Sequence, residues 1–221
     1  MVMDKIENIK DFRDIFVNNI STVLSKECYK YKSSKYLFEK IFEFSIFRIN
    51  VYYYKRPTFI EIETKAYYGN KNIENKLKNN EIKVLNDTIC GGDLRFICEY
   101  YFNKKFPEKY SNLIYELNEP VQPLIEKWVK YFNNIIKPFF KDCLDPIKLN
   151  KIVNEERINT TGLNLNYENR VLKFYYIGKE AGLNDNKLKE LSILYKNEME
   201  KFNAKYLNKY MELIKKELGD I

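Results

Sequence analysis

The chain has 221 residues, of which 38 are Lys or Arg and 31 are Asp or Glu, giving a formal net charge of +7, and it contains no histidine. That length suits one domain with a core of real size. The lack of histidine removes Ser–His and Cys–His nucleophile activation, His-ligated metals and the usual neutral-pH proton shuttle, so an enzyme here would work with carboxylates, Lys, Tyr or Cys.

Cys28, Cys90, Cys98 and Cys143 form no CxxC pair, so neither a zinc site nor a redox motif is indicated, and reduced thiols in the cytoplasm are expected. The N-terminus carries Asp4, Lys5 and Glu7 without the apolar stretch of a signal peptide. No apolar run approaches the ~20 residues of a membrane span. The expectation is a soluble, cytoplasmic chain without a cofactor. Only six basic residues are Arg, and acidic residues are interspersed. The abundance of Lys, Asn, Ile and Tyr is what AT-rich coding favours. The charge therefore reads as a solvated surface before it reads as a nucleic-acid site, which would favour Arg.

Residues 4–26 predict an amphipathic helix. Ile6, Ile9, Phe12, Phe16, Ile20, Val23 and Leu24 make one stripe, and Asp4 with Glu7 gives a capping-box pattern. Residues 29–35 read as a polar connection, and residues 36–40 as a first short strand. The run from Ser45 to Gly69 predicts a β-hairpin. Ile49, Val51 and Tyr53 alternate with Arg48, Asn50 and Tyr52. After a break at residues 54–57, Ile60, Ile62, Thr64 and Ala66 alternate with Phe59, Glu61, Glu63 and Lys65. A tight connection pairs Val51 with Ile60, Ile49 with Ile62, Tyr52 with Phe59, Asn50 with Glu61 and Arg48 with Glu63. Phe42, Phe44 and Ile46 alternate in the opposite phase, which suggests a bulge at Ile46–Phe47.

Residues 70–81 read as an exposed polar loop, with one helical turn at most. Gly91-Gly92 between apolar runs suggests a second hairpin. The alternation of Leu94, Phe96, Cys98, Tyr100 and Phe102 favours a strand over the rival reading, a helix opening at Asp93. Helices are expected from Pro107 to about residue 118, over residues 124–136 ending near Pro138, from an Asp145-Pro146 cap to about residue 155, and over residues 167–181 closed by Gly182. Residues 156–165 read as a loop. Residues 184–218 carry one long apolar stripe, either one long helix or two abutting ones. The fold class is α+β: an N-terminal helix packed on a small antiparallel sheet, then a C-terminal helical bundle with a long last helix. Residues 1–105 would form the sheet part and residues 106–221 the helical part of one compact unit.

Two constellations carry chemistry. Glu61, Glu63 and Lys65 share a strand face and match the carboxylate–spacer–lysine half of the PD-(D/E)xK nuclease pattern, in which carboxylates hold Mg²⁺. The other half, an acidic residue after a proline on an earlier strand, is missing, and Glu43 is a poor substitute. The plainer reading is a solvent-facing strand with paired charges, in which Arg48 neutralises Glu63. Tyr52, Tyr53, Tyr54, Phe59, Tyr67 and Tyr68 form the second constellation, with Tyr52, Phe59 and Tyr67 opposite the aliphatics. That cluster is covered core, a partner surface or a base-stacking platform. Trp128, Phe132, Phe139 and Phe140 read as core, and Cys90 and Cys98 as buried thiols that a hairpin would bring near one another.

The order of a leading helix, the INVYYY and IEIETKAYYG strands and a helix ending in Ile-Lys-Pro-Phe-Phe resembles a bacterial domain family of unknown function. The resemblance covers about residues 4–150 and implies fold rather than activity. The expected function is a non-enzymatic protein-binding module of bacterial or phage origin, of the immunity, antitoxin or inhibitor type. Its candidate surface is Arg48, Tyr52, Tyr54, Lys55, Arg56, Phe59, Glu61, Glu63 and Lys65. The alternative is a metal-dependent nuclease or nucleic-acid binder using Glu61, Glu63 and Lys65. The expected partner is a protein, with no membrane, and the chain is a monomer or a homodimer through its C-terminal helix.

Overall fold

A computed structural model describes residues 8–81, 87–107, 112–117, 119–155, 167–201 and 207–219. The cap expected at Asp4 and Glu7 and the loop at 156–165 lie outside them. The fold is α+β, a leading helix, an antiparallel sheet of six strands and then helices. The chain divides into two units, each assembled from two stretches: Met1–Tyr67 with Gly91–Phe140, and Tyr68–Cys90 with Lys141–Ile221. These boundaries differ from a single cut at residue 105.

In the first unit, helix α1 (Ile9–Lys26) starts at Asn8. The Asn8 side chain accepts the amides of Lys10 and Asp11 at 2.9 and 3.0 Å, which satisfies donors that a helix start leaves free. Phe12, Phe16, Ile20 and Leu24 are fully buried on one stripe. Strands β1 (Lys30–Lys32), β2 (Leu37–Phe42), β3 (Ser45–Lys55) and β4 (Phe59–Asn70) follow. β1 forms from residues that read as a connection, because Tyr31 packs its ring 4.7 Å from Phe38 while Lys30 pairs with Glu39. No bulge occurs at Ile46–Phe47. The β2–β3 register runs unbroken from Leu37↔Asn50 to Phe42↔Ser45 around a tight turn at Glu43, where φ is +52°. The phase change seen in the sequence is this turn, together with an end of β3 where Ile46 and Phe47 are both buried.

The main hairpin forms, with a shorter connection than expected. Arg56 N–H donates to the Phe59 carbonyl at 2.8 Å, so the strands close around Pro57-Thr58. Arg56, rather than Tyr52, stands opposite Phe59, and every pairing expected across the hairpin moves by four residues. An even shift preserves the faces. Ile60, Ile62, Thr64 and Ala66 are buried, and Phe59, Glu61, Glu63, Lys65 and Tyr67 alternate outward.

Strand order is β1-β2-β3-β4-β5, with β6 also on β4. β5 (Thr88–Asp93) runs straight through both glycines, so no hairpin forms there. Gly91 has φ +140°, and a Cβ on it would lie 2.1 Å from the Ala66 carbonyl oxygen, so glycine lets the two backbones meet. Asp93 then caps α3 (Leu94–Phe96, widening into the π-turn Ile97–Tyr101) by accepting Phe96 N–H at 2.7 Å. The strand expected over 94–102 is thus the rival helix, burying Leu94, Ile97 and Cys98 at helical spacing. β6 (Leu113–Glu116) replaces part of the helix expected after Pro107. It pairs Leu113 with Ile62 and Tyr115 with Ile60, inward residues on both sides. Helix α4 (Gln122–Tyr131) continues through a π-turn at Phe132–Ile136 into α5 (Lys137–Cys143). Pro138 does not end the helix, because the wide turn before it accommodates its ring and its missing N–H. Phe139 and Phe140 are buried, and Phe140 lies 5.0 Å from Phe47.

The second unit holds the end of β4, the start of β5 and the remaining helices. α2 (Lys71–Asn79) occupies the segment read as a loop: Asn70 caps it at the amides of Asn72 and Ile73, and Ile73 and Leu77 are fully buried. α6 (Pro146–Asn150, widening at Lys151–Glu155) opens on the expected Asp145 cap. α7 (Tyr167–Glu180) closes at Gly182, φ +76°, where Leu183 N–H reaches the Gly178 carbonyl at 3.1 Å. The stripe of 184–218 becomes two helices, α8 (Asp185–Lys201) and α9 (Leu207–Leu218). Tyr210 OH donates to the Ser192 carbonyl at 3.3 Å, whereas 18 residues of continuous helix would hold them ~27 Å apart. Leu188, Leu191, Tyr195, Met199, Leu213 and Ile214 are buried within the chain, while Leu194 stays 37% exposed.

The indole Nε1–H of Trp128, a fully buried residue, donates to Thr64 Oγ1 at 3.0 Å. Thr64→Val keeps the shape and leaves that donor without its acceptor, so urea denaturation should show a loss of about 1–3 kcal/mol. Thr64→Ser, which keeps the acceptor, should lose clearly less. Equal losses would assign the effect to packing.

Candidate functional site

The outer face of β3 and β4 collects most of the surface expected from the sequence. By strand alternation Arg48, Tyr52, Tyr54 and Arg56 share a face with Phe59, Glu61, Glu63 and Lys65. Lys55 has the opposite parity and does not join them. The helices of this unit pack on the inner face: Phe12 and Phe16 of α1 meet Tyr53 edge-on at 6.2 and 6.1 Å, and Trp128 of α4 reaches Thr64. Tyr53 and Tyr68 are accordingly not part of the platform.

On the outer face the charges close into pairs. Arg56 donates from Nε and Nη2 to Glu61 Oε2 at 3.1 and 2.7 Å, and Asn112 Nδ2 donates to Glu61 Oε1 at 2.6 Å. Glu63 accepts Tyr54 OH at 3.1 Å and pairs with Lys65 at 3.1 Å. Lys65 Nζ also sits 5.8 Å from the centre of the Tyr52 ring. Arg48 Nε meets Glu39 Oε2 at 3.0 Å, and Lys32 also donates to Glu39. The Tyr54–Glu63 and Tyr52–Lys65 contacts are the diagonals that the four-residue shift creates.

These partners set the ionisation of the face. Asn112, then Arg56, holds Glu61 below the ordinary carboxylate range. Burial pushes Glu39 up, but hydrogen bonds from Lys32 and Arg48 outweigh it and hold the carboxylate low. Burial opposes the charge of Lys65, and Glu63 more than compensates, so Lys65 stays cationic beyond its usual range. Exposed pairs of this kind contribute roughly 0–1 kcal/mol each, so their main consequence is orientation.

Glu61, Glu63 and Lys65 do share one face, as the nuclease pattern requires, but both carboxylates are engaged by their neighbours. Glu43 stands in the exposed β2–β3 turn. Among the described residues no three His, Cys, Asp or Glu side chains converge as a metal ion would require. Trp128, Phe132, Phe139 and Phe140 are core. Cys90 neighbours Cys143, with sulfurs 3.6 Å apart, and Cys98 lies on α3.

Glu39, Asn112 and Lys173 were not singled out in the sequence. Glu39 is legible only once β2 is paired to β3, and Asn112 only once β6 is seen as a strand. The signal for Lys173 was available, since it is the one charge inside the run VLKFYYI. It lies on α7, 1% exposed, with Nζ donating to the Thr88 carbonyl at 2.9 Å. Burial pulls its pKa down to about 8, against the opposing field of Asp87.

Lys173 makes stability depend on pH with a definite sign. The unfolded lysine keeps its proton to a pKa near 10.4, while the folded one releases it at about 8. In that window the unfolded state binds more protons, so stability rises with pH. Between pH 7.5 and 9.5 the gain should be about 2 kcal/mol. Denaturant titrations of the native chain and of Lys173→Met isolate it, since the tyrosines act alike in both. A difference between the two proteins that stays constant with pH would show that Lys173 titrates normally.

Among the described residues no helix is long and apolar enough to cross a membrane. Compared with known protein families, curated protein sequences and solved structures, the chain matches none of them.

Proposed function

We propose that this chain is a non-enzymatic protein-binding module of the immunity, antitoxin or inhibitor type, of bacterial or phage origin, acting in the cytoplasm through the outer face of β3 and β4. One observation carries the reading: aromatic area is held on rigid strands between charges that are already paired. Tyr52 and Phe59 are half-buried and Tyr54 is 41% exposed, and each stands beside an oriented charge or ion pair. Aromatic anchors rimmed by satisfied polar groups are what protein interfaces use, because little ordering remains to be done on binding.

The charge balance favours a protein over a nucleic acid. Glu39, Glu61 and Glu63 face Arg48, Arg56 and Lys65 across the same surface. A phosphate backbone calls for cations free to meet it and offers a steep salt dependence in return, and here Arg48, Arg56 and Lys65 are each held by a carboxylate. Both oxygens of Glu61 and of Glu63 already meet a donor on Arg56, Asn112, Tyr54 or Lys65, which serves orientation better than metal binding.

The test is affinity capture of the partner from the native host, followed by titration of the purified pair. Phe59→Glu with Lys65→Glu should weaken binding at least about 100-fold, a loss of roughly 3 kcal/mol, while Glu190→Ala on α8 leaves it unchanged. Retention of native affinity by the double variant would remove this face from the function. So would Mg²⁺- or Mn²⁺-dependent cleavage of DNA or RNA that Glu63→Ala abolishes.

A further inference from the structure

β3 outlasts its neighbour. β2 pairs with β3 only as far as Leu37↔Asn50, and the last bond across is Val51 N–H to the Tyr36 carbonyl at 3.0 Å. Tyr36, with φ +49°, then turns the chain away. β3 continues to Lys55. Backbone groups alternate sides along an antiparallel strand. Val51 points to the β2 side and Arg56 points to Phe59 on β4, so Tyr53 and Lys55 face the β2 side. Among the described residues no strand lies beside them there. A short edge is thus left open among the described residues, with Tyr53 N–H and C=O and Lys55 N–H facing outward, the template on which an extended peptide adds as a strand.

A hollow of about 240 Å³ opens along this edge, walled by Ile9, Lys10 and Arg13 of α1, by Tyr36, and by residues 52–54 of β3. Among the described residues its walls hold two cations and no carboxylate. Arg13 pairs with Asp14 at 3.2 Å and stands 5.7 Å from the centre of the Tyr36 ring. Lys10, Lys35 and Lys55 form no ion pair among the described residues, and all three are exposed. Tyr53 OH is buried and has no hydrogen-bond partner among the described residues. Open backbone groups and exposed cations meet at one place.

We propose that this edge takes a short acidic segment of the protein partner in extended conformation, added as a strand beside residues 52–55 of β3, with its carboxylates turned to Lys10 and Arg13. The inference rests on the reading above that the chain binds a protein, and it names the chemistry of the segment recognised. The cations supply the selectivity, because an edge by itself would accept any extended chain.

The probe is a fluorescent peptide of three Val-Glu repeats, blocked at both ends, compared with its Val-Lys counterpart. The Glu peptide should bind saturably and more weakly as salt rises, the Lys peptide should not bind, and the amides of Tyr53 and Lys55 should shift and gain exchange protection. Lys10→Glu with Arg13→Glu should weaken binding at least about tenfold. Lys55→Pro should do likewise, since it removes an edge donor without touching the β4 ladder. If that variant fails to fold, the charge reversal and the protection of Tyr53 decide.

Equal binding of the two peptides, no binding of either, or shifts confined to Phe59, Glu61 and Glu63 would overturn the proposal. A dimer of the chain alone that Lys55→Pro dissolves would assign the edge to a second copy and overturn it too. Should the Glu peptide fail while substitutions at Phe59 and Lys65 still abolish partner capture, the edge falls and the outer-face reading stands.

Discussion

The hydrogen bond from Trp128 to Thr64 sets the geometry on which the candidate site depends. Thr64 is a polar residue among the inward positions Ile60, Ile62 and Ala66 of β4. Without an acceptor there, the indole N–H of a fully buried ring would be unsatisfied, and with it helix α4 has one height on the strand. The same ring stacks on Phe132 at 5.9 Å and meets Phe16 edge-on at 6.3 Å, so α1, α4 and β4 are tied at one point. A slip of β4 by one residue would bring Glu63 or Lys65 under the indole. The outward placement of those charges is therefore enforced from the opposite side of the sheet.

With that phase held, the outer face follows from local pairing. The two-residue connection at Pro57-Thr58 brings Tyr54 to Glu63 and Tyr52 to Lys65 along diagonals, and Arg56 folds back on Glu61. Arg48 reaches Glu39 on β2. Each acidic group meets a cation through neighbours fixed by the sheet, so ordering long side chains costs less than on an irregular surface. The aromatic area of the outer face is therefore held between charges that are already paired.

Much of this was legible in the period-two alternation of residues 47–66, which placed the correct side chains on each face. Cross-strand partners were not, for a physical reason. A register shift of four conserves every inward and outward position, so alternation cannot distinguish pairing Val51 with Ile60 from closing the strands at Arg56 and Phe59. Other departures have separate causes. The apolar contribution of α2 is only Ile73 and Leu77, one turn apart and diluted by Asn and Lys, so capping by Asn70 was the available signal. Leu94 to Phe102 alternated because aromatic and aliphatic residues fill both helical and strand patterns, and the Asp93 cap decided between them. Pro138 reads as a stop unless the π-turn before it is known. Gly91-Gly92 reads as a turn, although what requires glycine is the backbone of β4 pressing on Gly91.

The open end of β3 raises the question of why it does not pair with itself. An exposed edge is a liability that proteins manage with charge, Lys above all. Lys10, Arg13 and Lys55 surround this one, and two copies meeting edge to edge would bring the same cations against each other. Protection against self-pairing and attraction for an acidic strand are thus one electrostatic property seen from two partners. A merely protective edge would need only the charges. The hollow beside residues 52–54 serves no such purpose.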